Sequence, residues 1–250
     1  MSLLIINADD FGYSSGINLG IIRAHERGVL SSTTMMANMP GFDEGVELAK
    51  SYPDLGIGVH LTLTCGEPLL EDVLSITEDG NFRKLGFYEK DFLIDPTELY
   101  REWDAQIQKI LQSGIKPTHL DSHHHVNCLP QVKEVFIELA RKYELPVRNN
   151  FDVPADIKTV KRFFVDFDDL GQTKEIWKAL TIDNLIQDCK TYGTVEAMCH
   201  PGYLDYVLLQ SSSLAEKRAY ICNELQQPEY KELFAKNDIQ LGTYQDINSL

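Results

Sequence analysis

Groups able to do chemistry recur in this 250-residue chain where short apolar runs end. Asp9 and Asp10 stand side by side in Asp9-Asp10-Phe11-Gly12, directly after the run 3–8. Neither carboxylate can follow that run into an apolar core without a large desolvation cost, so they either cap a helix or sit at a functional rim. His60 lies in Gly58-Val59-His60-Leu61-Thr62-Leu63, where an imidazole must find a partner or stay neutral as a core residue. Residues 118–125 contain His119, Asp121, His123, His124 and His125, so four of the seven histidines and a carboxylate fall within eight residues. The run is internal and interleaved with strand formers, unlike a purification tag, which leaves a functional cluster or an exposed histidine loop. Alternation along an extended segment places His119, Asp121, His123 and His125 on one side and His124 on the other.

These residue types suit a metal. Imidazole nitrogens and carboxylate oxygens are deprotonated donors near neutral pH, and three of them leave positions open for a water that becomes a nucleophile. The additional Asp and His residues would then accept or fix the ring N–H groups of the ligands. His200, in Cys199-His200-Pro201-Gly202, ends another apolar run and has the ordinary pKa, about 6.5, of a general acid working near neutrality. Arg148 could orient a substrate oxygen, hold a carboxylate such as Asp9, or pair with a surface acid. Cys199 beside His200 is set aside as a nucleophile, because consecutive strand residues face opposite ways.

The elements that must position these groups alternate. Runs at 3–8, 31–37, 56–63, 118–121, 146–148, 162–166, 195–199 and 239–243 read as strands. Helical spacing appears at 15–28, 43–51, 97–112, 130–143, 173–180, 184–188 and 213–225. Residues 65–95, broken by Gly66, Pro68, Gly80 and Gly86, read as an irregular insertion or lid. Six to eight βα units define an α/β class and fit a whole or distorted barrel better than an open sheet. Both architectures put ligands at the C-terminal ends of parallel strands, where the polar motifs collect.

Composition narrows the partners. With 43% hydrophobic residues and no linker-like segment, the chain suits a single domain. Thirty-eight acidic residues against 23 basic give a formal charge of -15, which disfavours nucleic acid and anionic membrane surfaces. No apolar run reaches membrane-spanning length. Five scattered cysteines and an N-terminus without a signal-peptide pattern point to a cytoplasmic location with reduced thiols.

Taken in order, Asn7-Ala8-Asp9-Asp10-Phe11-Gly12, Gly58-Val59-His60-Leu61, His119–His125 and Cys199-His200-Pro201-Gly202 resemble the motifs of the YdjC-like carbohydrate deacetylases. The resemblance runs from the N-terminus to about Ile247 and is weakest over 151–188. It implies a distorted (β/α) barrel of the glycoside hydrolase/deacetylase type and removal of the N-acetyl group from an N-acetylated amino sugar or short oligosaccharide. It also implies magnesium held by Asp10, His60 and His123, with Asp9 as base and His200 as acid. Arg148, Asp121 and His125 are left to contact substrate or support the ligands. Two imidazoles and a carboxylate would by ordinary affinity order bind zinc, nickel or cobalt more tightly than magnesium. Asn127 stands where chitooligosaccharide enzymes often carry a further histidine, so the sugar could differ. The rival readings are hydrolysis of a phosphoester or glycoside, or a non-catalytic metal- or sugar-binding barrel. Against the phosphoester, no cation beyond Arg148 can be placed at the rim. A homodimer in which a neighbouring protomer completes the site is a further expectation.

Overall fold

A computed structural model describes residues 1–248. The chain opens with strand β1 (Ser2–Phe11), whose Leu3-Leu4-Ile5-Ile6 run is buried on both faces, as a strand covered on two sides requires. Then follow α1 (Ser15–Arg27), β2 (Ser32–Met35), α2 (Phe42–Ser51) and β3 (Gly56–Leu61). The insertion folds into a small antiparallel hairpin, β4 (Thr77–Glu78) and β5 (Asn81–Phe82), and a short helix α3 (Leu85–Tyr88). Next come α4 (Pro96–Gln112), β6 (Leu120–Ser122), a 3-10 turn (His123–Cys128) and α5 (Pro130–Lys142). The remainder comprises β7 (Arg162–Phe164), a 3-10 turn (Asp166–Gln172), α6 (Glu175–Tyr192), β8 (Thr194–Cys199), α7 (Tyr206–Ser211), α8 (Glu216–Glu224), α9 (Glu229–Lys236), β9 (Ile239–Leu241) and a last 3-10 turn (Tyr244–Asn248).

The main sheet is parallel, in the order β6-β3-β2-β1-β8-β7. One edge of the long β1 is shared: β9 pairs with its first residues, Ser2–Leu4, and β2 with its last, Asn7–Phe11. Single parallel bridges, Leu120 to Val147 and Val147 to Thr159, carry the curl from β6 towards the segment that enters β7. The result is a curled parallel half-barrel wrapped by helices, an α/β fold with the site motifs at the C-terminal ends of β1, β3, β6 and β8.

Three sequence expectations change. The expected strand at 146–148 pairs through Val147 alone, because Pro146 has no N–H to donate. The helices expected at 173–180 and 184–188 are one helix, α6, held by the buried face of Ile182, Leu185, Ile186 and Cys189. The low propensity of Thr181 and Asp183 costs only about 0.7 kcal/mol each, too little to break it against that burial. Third, α7 and α9 have no counterpart in the sequence reading; α7 is started by Asp205, whose side chain accepts from the Leu208 N–H. The insertion is tied down at its base: buried Glu102 of α4 accepts the N–H groups of Leu69 and Leu70 at 3.0 Å, and Glu98 accepts that of Ser75 at 2.7 Å.

Candidate active site

Both carboxylates of β1 reach one cavity because the strand is irregular. In a regular strand Asp9 and Asp10 would face opposite ways. Here the register against β2 slips between Ala8 and Phe11, and Asp10 takes a left-handed φ of 73°. Such a bulge re-aims a side chain, and both carboxylates line a cavity of about 600 Å³ together with His60, His123, His124, His125, His200 and Arg218.

His60 of β3 lies in register with Asp121 of β6. Its Nδ1 is 2.6 Å from Asp121 Oδ1, and Thr34 Oγ1 donates to Asp121 Oδ2 at 3.1 Å. A carboxylate only accepts, so Nδ1 carries a proton, and the ring's Nε2 faces Asp10 Oδ1, 3.4 Å away. His123 Nδ1 is 3.0 Å from the same oxygen. Neither ring directs an N–H at it along a hydrogen-bonding line, and Asp10 Oδ1 has no hydrogen-bond partner although it is buried. One donor atom from each of Asp10, His60 and His123 falls within 4.8 Å of the others. A divalent cation fits this set, because the unpartnered oxygen and the imidazole nitrogens converge on one locus.

The charge balance points the same way. Asp9, Asp10, Asp121 and Glu196 are buried against only two buried guanidiniums, Arg148 and Arg218. Burial alone would pull the His60 imidazole down, yet the charges of Asp121 and Asp9 outweigh it and push it up to about 10, a sign of strongly negative surroundings. Asp10, against its own desolvation, is held well below the usual carboxylate range by Arg218 and His123. Asp9, His60 and Asp121 also lie close enough together to hold an ion, but their cation is already present: Arg148 Nη2 is 2.6 Å from Asp9 and 2.8 Å from Asp121.

Arg148 grips Asp9 through two parallel bonds, Nη1 to Oδ2 at 2.9 Å and Nη2 to Oδ1 at 2.6 Å. Despite desolvation, this pairing keeps the Asp9 carboxyl well below its ordinary pKa. Beside it, His200 Nε2 is 3.9 Å from Asp9 Oδ2, too far for a direct hydrogen bond. Asp168 holds His200 twice, accepting its backbone N–H at 2.6 Å and facing its Nδ1 at 3.2 Å. Burial disfavours the His200 imidazolium, but Asp168 and Asp9 prevail and raise its pKa.

Packing fixes the loop that carries His200. A Cβ on Gly20 of α1 would lie 2.5 Å from Gly202 Cα. Alanine for glycine inside a helix normally gains up to about 1 kcal/mol, but here the overlap is with backbone and costs about 1–3 kcal/mol. Gly20→Ala is therefore expected to lower both the melting temperature and kcat, which thermal melts and turnover will show; an unchanged or raised melting temperature contradicts the contact.

Of the residues singled out from sequence, Asp9, Asp10, His60, His123, His125 and His200 line the cavity. Arg148 and Asp121 are fully buried and sit beneath it, so neither is placed to touch substrate. The expected alternation through the histidine run is corrected. The chain leaves the extended conformation after Ser122, and His124 and His125 adopt left-handed φ of 56° and 53°. His123, His124 and His125 consequently all reach the cavity, whereas His119 lies in the core with its ring stacked on Tyr244 at 4.0 Å. Sequence reasoning missed Arg218, whose Nη2 donates to Asp10 Oδ2 at 2.6 Å, and Asp168. Arg218 carries no motif in an ordinary surface-helix pattern, and Asp168 hides in the acidic run 166–169, which reads as solvated. Lys84, from the insertion, also lines the cavity. The cations at the rim are thus Arg218 and Lys84, and not Arg148, the one cation expected there. A second cleft of about 610 Å³ opens near the N-terminal end of β3, lined by Lys50, Asp54 and Thr243 among others, with no metal-ligating cluster among the described residues.

Fold and site together define the class: an α/β half-barrel enzyme whose titratable groups converge at the C-terminal ends of parallel strands. The chain belongs to the YdjC-like protein family, whose model matches residues 3–236. It is 40% identical over 256 residues to a carbohydrate deacetylase of Brevibacillus brevis, covering 98% of this chain and 99% of that one. It is 44% identical over 219 residues to a carbohydrate deacetylase of Halalkalibacterium halodurans, covering 86% and 91%. Its fold is similar to the crystal structure of an Enterococcus faecalis V583 protein whose given name proposes cellobiose-phosphate cleavage. That match has a TM-score of 0.87 and 35% identity over 98% of each chain.

Proposed function

We propose that the protein is a metal-dependent deacetylase that hydrolyses the N-acetyl group of an amino sugar or short oligosaccharide. The observation that carries this reading is the convergence of Asp10, His60 and His123 within 4.8 Å, in a cavity that also presents Asp9 and His200. Asp10, His60 and His123 would hold the metal, which when bound supplies a Lewis acid for the acetamide oxygen and acidifies water. Asp9, kept ionised and oriented by Arg148, takes a proton from the water that attacks the acetamide carbon. His200, whose imidazolium form Asp168 favours, gives its proton to the departing nitrogen, and acetate and a free amino sugar leave. Asp121 fixes the His60 tautomer; His125 and His124 offer ring faces and nitrogens to the sugar. Family likeness favours magnesium, whereas the donor set favours zinc, nickel or cobalt.

Asp168→Asn removes the charge that sustains the His200 imidazolium. The His200 pKa then falls, so the high-pH decline of kcat is expected to move to lower pH, and kcat at neutral pH to drop roughly tenfold or more. A pH–rate profile identical to wild type would rule out the pairing as a catalytic device.

A phosphoester remains a second reading, since Arg218 and Lys84 stand on the cavity wall. Product analysis of N-acetylated and phosphorylated amino sugars separates the bonds. Acetate with an intact glycosidic and phosphate linkage supports deacetylation; free phosphate or a new reducing end without acetate overturns it.

A further inference from the structure

A chain of hydrogen-bonded side chains continues below the cavity to the C-terminal turn. Glu196 is wholly buried in β8, in register with Ile5 of β1, an apolar setting in which a carboxylate needs every acceptor site filled. Its Oε1 accepts from Arg148 Nε at 2.9 Å, and its Oε2 accepts from the Tyr244 hydroxyl at 2.5 Å. Arg148 then donates its two terminal nitrogens to Asp9. The Nε bond matters because it fixes the plane of the guanidinium, and the bidentate bond transfers that plane to the Asp9 carboxylate.

Tyr244 is itself fixed with care. Its ring is parallel to His119, 8° off and 4.0 Å away, and His119 fits only because position 58 is glycine: a Cβ there would lie 2.5 Å from the imidazole. The turn is pinned by the Gly242 N–H to Leu4 O at 3.1 Å and by Asp246 accepting the Thr243 N–H at 2.8 Å. Tyr244 lies beyond residue 236, where the family match ends, and neither Tyr244 nor Glu196 lines the cavity.

We propose that Tyr244 and Glu196 are positioning residues, which lock the guanidinium plane of Arg148 and through it aim Asp9, so that the C-terminal turn completes the active site. The proposal rests on the reading of Asp9 as base. Without the hydroxyl, Glu196 Oε2 becomes a buried acceptor with no donor, and the carboxylate is free to turn and draw Arg148 out of plane. Small displacements of a reacting group are costly to rate.

The test compares Tyr244→Phe, Glu196→Gln and the double variant by kcat, KM and bound metal, with acetate release from N-acetylglucosamine oligomers as the assay. Tyr244→Phe keeps the ring on His119. It is expected to lower kcat about tenfold, roughly the worth of one charge-assisted hydrogen bond expressed as a rate, with KM and metal content unchanged. In the Glu196→Gln background the same change is expected to have no further effect on kcat, a coupling that general loss of stability would not produce. Full kcat in Tyr244→Phe, or the same fractional loss in both backgrounds, overturns the proposal. Should wild type release no acetate with any metal, the deacetylase reading fails instead. Crystal structures of wild type and Tyr244→Phe then decide the positioning claim alone: unmoved Arg148 and Asp9 overturn it.

Discussion

His123→Ala is expected to lose bound metal and to fall in turnover by roughly a thousandfold or more, while remaining folded. The folding expectation comes from its position: His123 follows β6 on a turn at the cavity surface and is 8% exposed, so truncation opens space towards solvent and strands no buried charge. Asp10→Ala should be as inactive but far less stable. It would leave Arg218, 2% exposed and with Nη1 already unpartnered, without its carboxylate, and an uncompensated buried charge costs about 3–5 kcal/mol. Metal content by elemental analysis, melting temperature and acetate release, measured on both variants, check the contrast. An active, metal-free His123→Ala enzyme would remove the metal from the account.

Asp9→Asn is expected to separate binding from chemistry. The amide preserves shape but removes the negative charge and the ability to accept a proton, so turnover should drop on the order of 10²–10⁴-fold. Bound metal should be retained, because Asp9 is not one of the three proposed ligands; its oxygens are taken by Arg148 and by Asn7 Nδ2 at 3.0 Å. Stability should fall by about 1–3 kcal/mol, because the amide NH2 must face a buried N–H donor of Arg148, while Asp121 and Glu196 still neutralise the guanidinium. Equal loss of metal and of activity in Asp9→Asn would mean that Asp9 belongs to the ion rather than to the proton transfer.

Much of this was legible in the sequence for physical reasons that can be named. The apolar runs at 3–8, 56–63 and 195–199 have the composition of strands buried on both faces, and each carries or directly precedes a chemistry-bearing residue: Asp9, His60 and His200. A parallel α/β fold gathers such ends on one rim, so Asp9, Asp10, His60, the run His119–His125 and His200 could be grouped before any distance was known, whereas the choice of Asp10, His60 and His123 among them came from the family resemblance. What stayed hidden depends on local irregularity or on long-range contact. The bulge that turns Asp9 and Asp10 to the same side has no signature in Asp9-Asp10-Phe11, and the left-handed pair His124-His125 breaks a period that alternation assumed. His119 looked like a member of the cluster because the strand phase is correct for it; its place against Tyr244 depends on a residue more than a hundred positions away. Arg218 meets Asp10 across 208 positions, and nothing near it in the chain announces that meeting.

The central claim, a metal held by Asp10, His60 and His123 that serves cleavage of an N-acetyl group, is tested most directly by one assay. Acetate release from N-acetylglucosamine and its β-linked oligomers is measured with chelated enzyme and after reloading with magnesium or zinc. The account predicts no acetate from the chelated enzyme and restored release with at least one of the two metals. Undiminished acetate from fully chelated enzyme, or none from any loaded form, would contradict it.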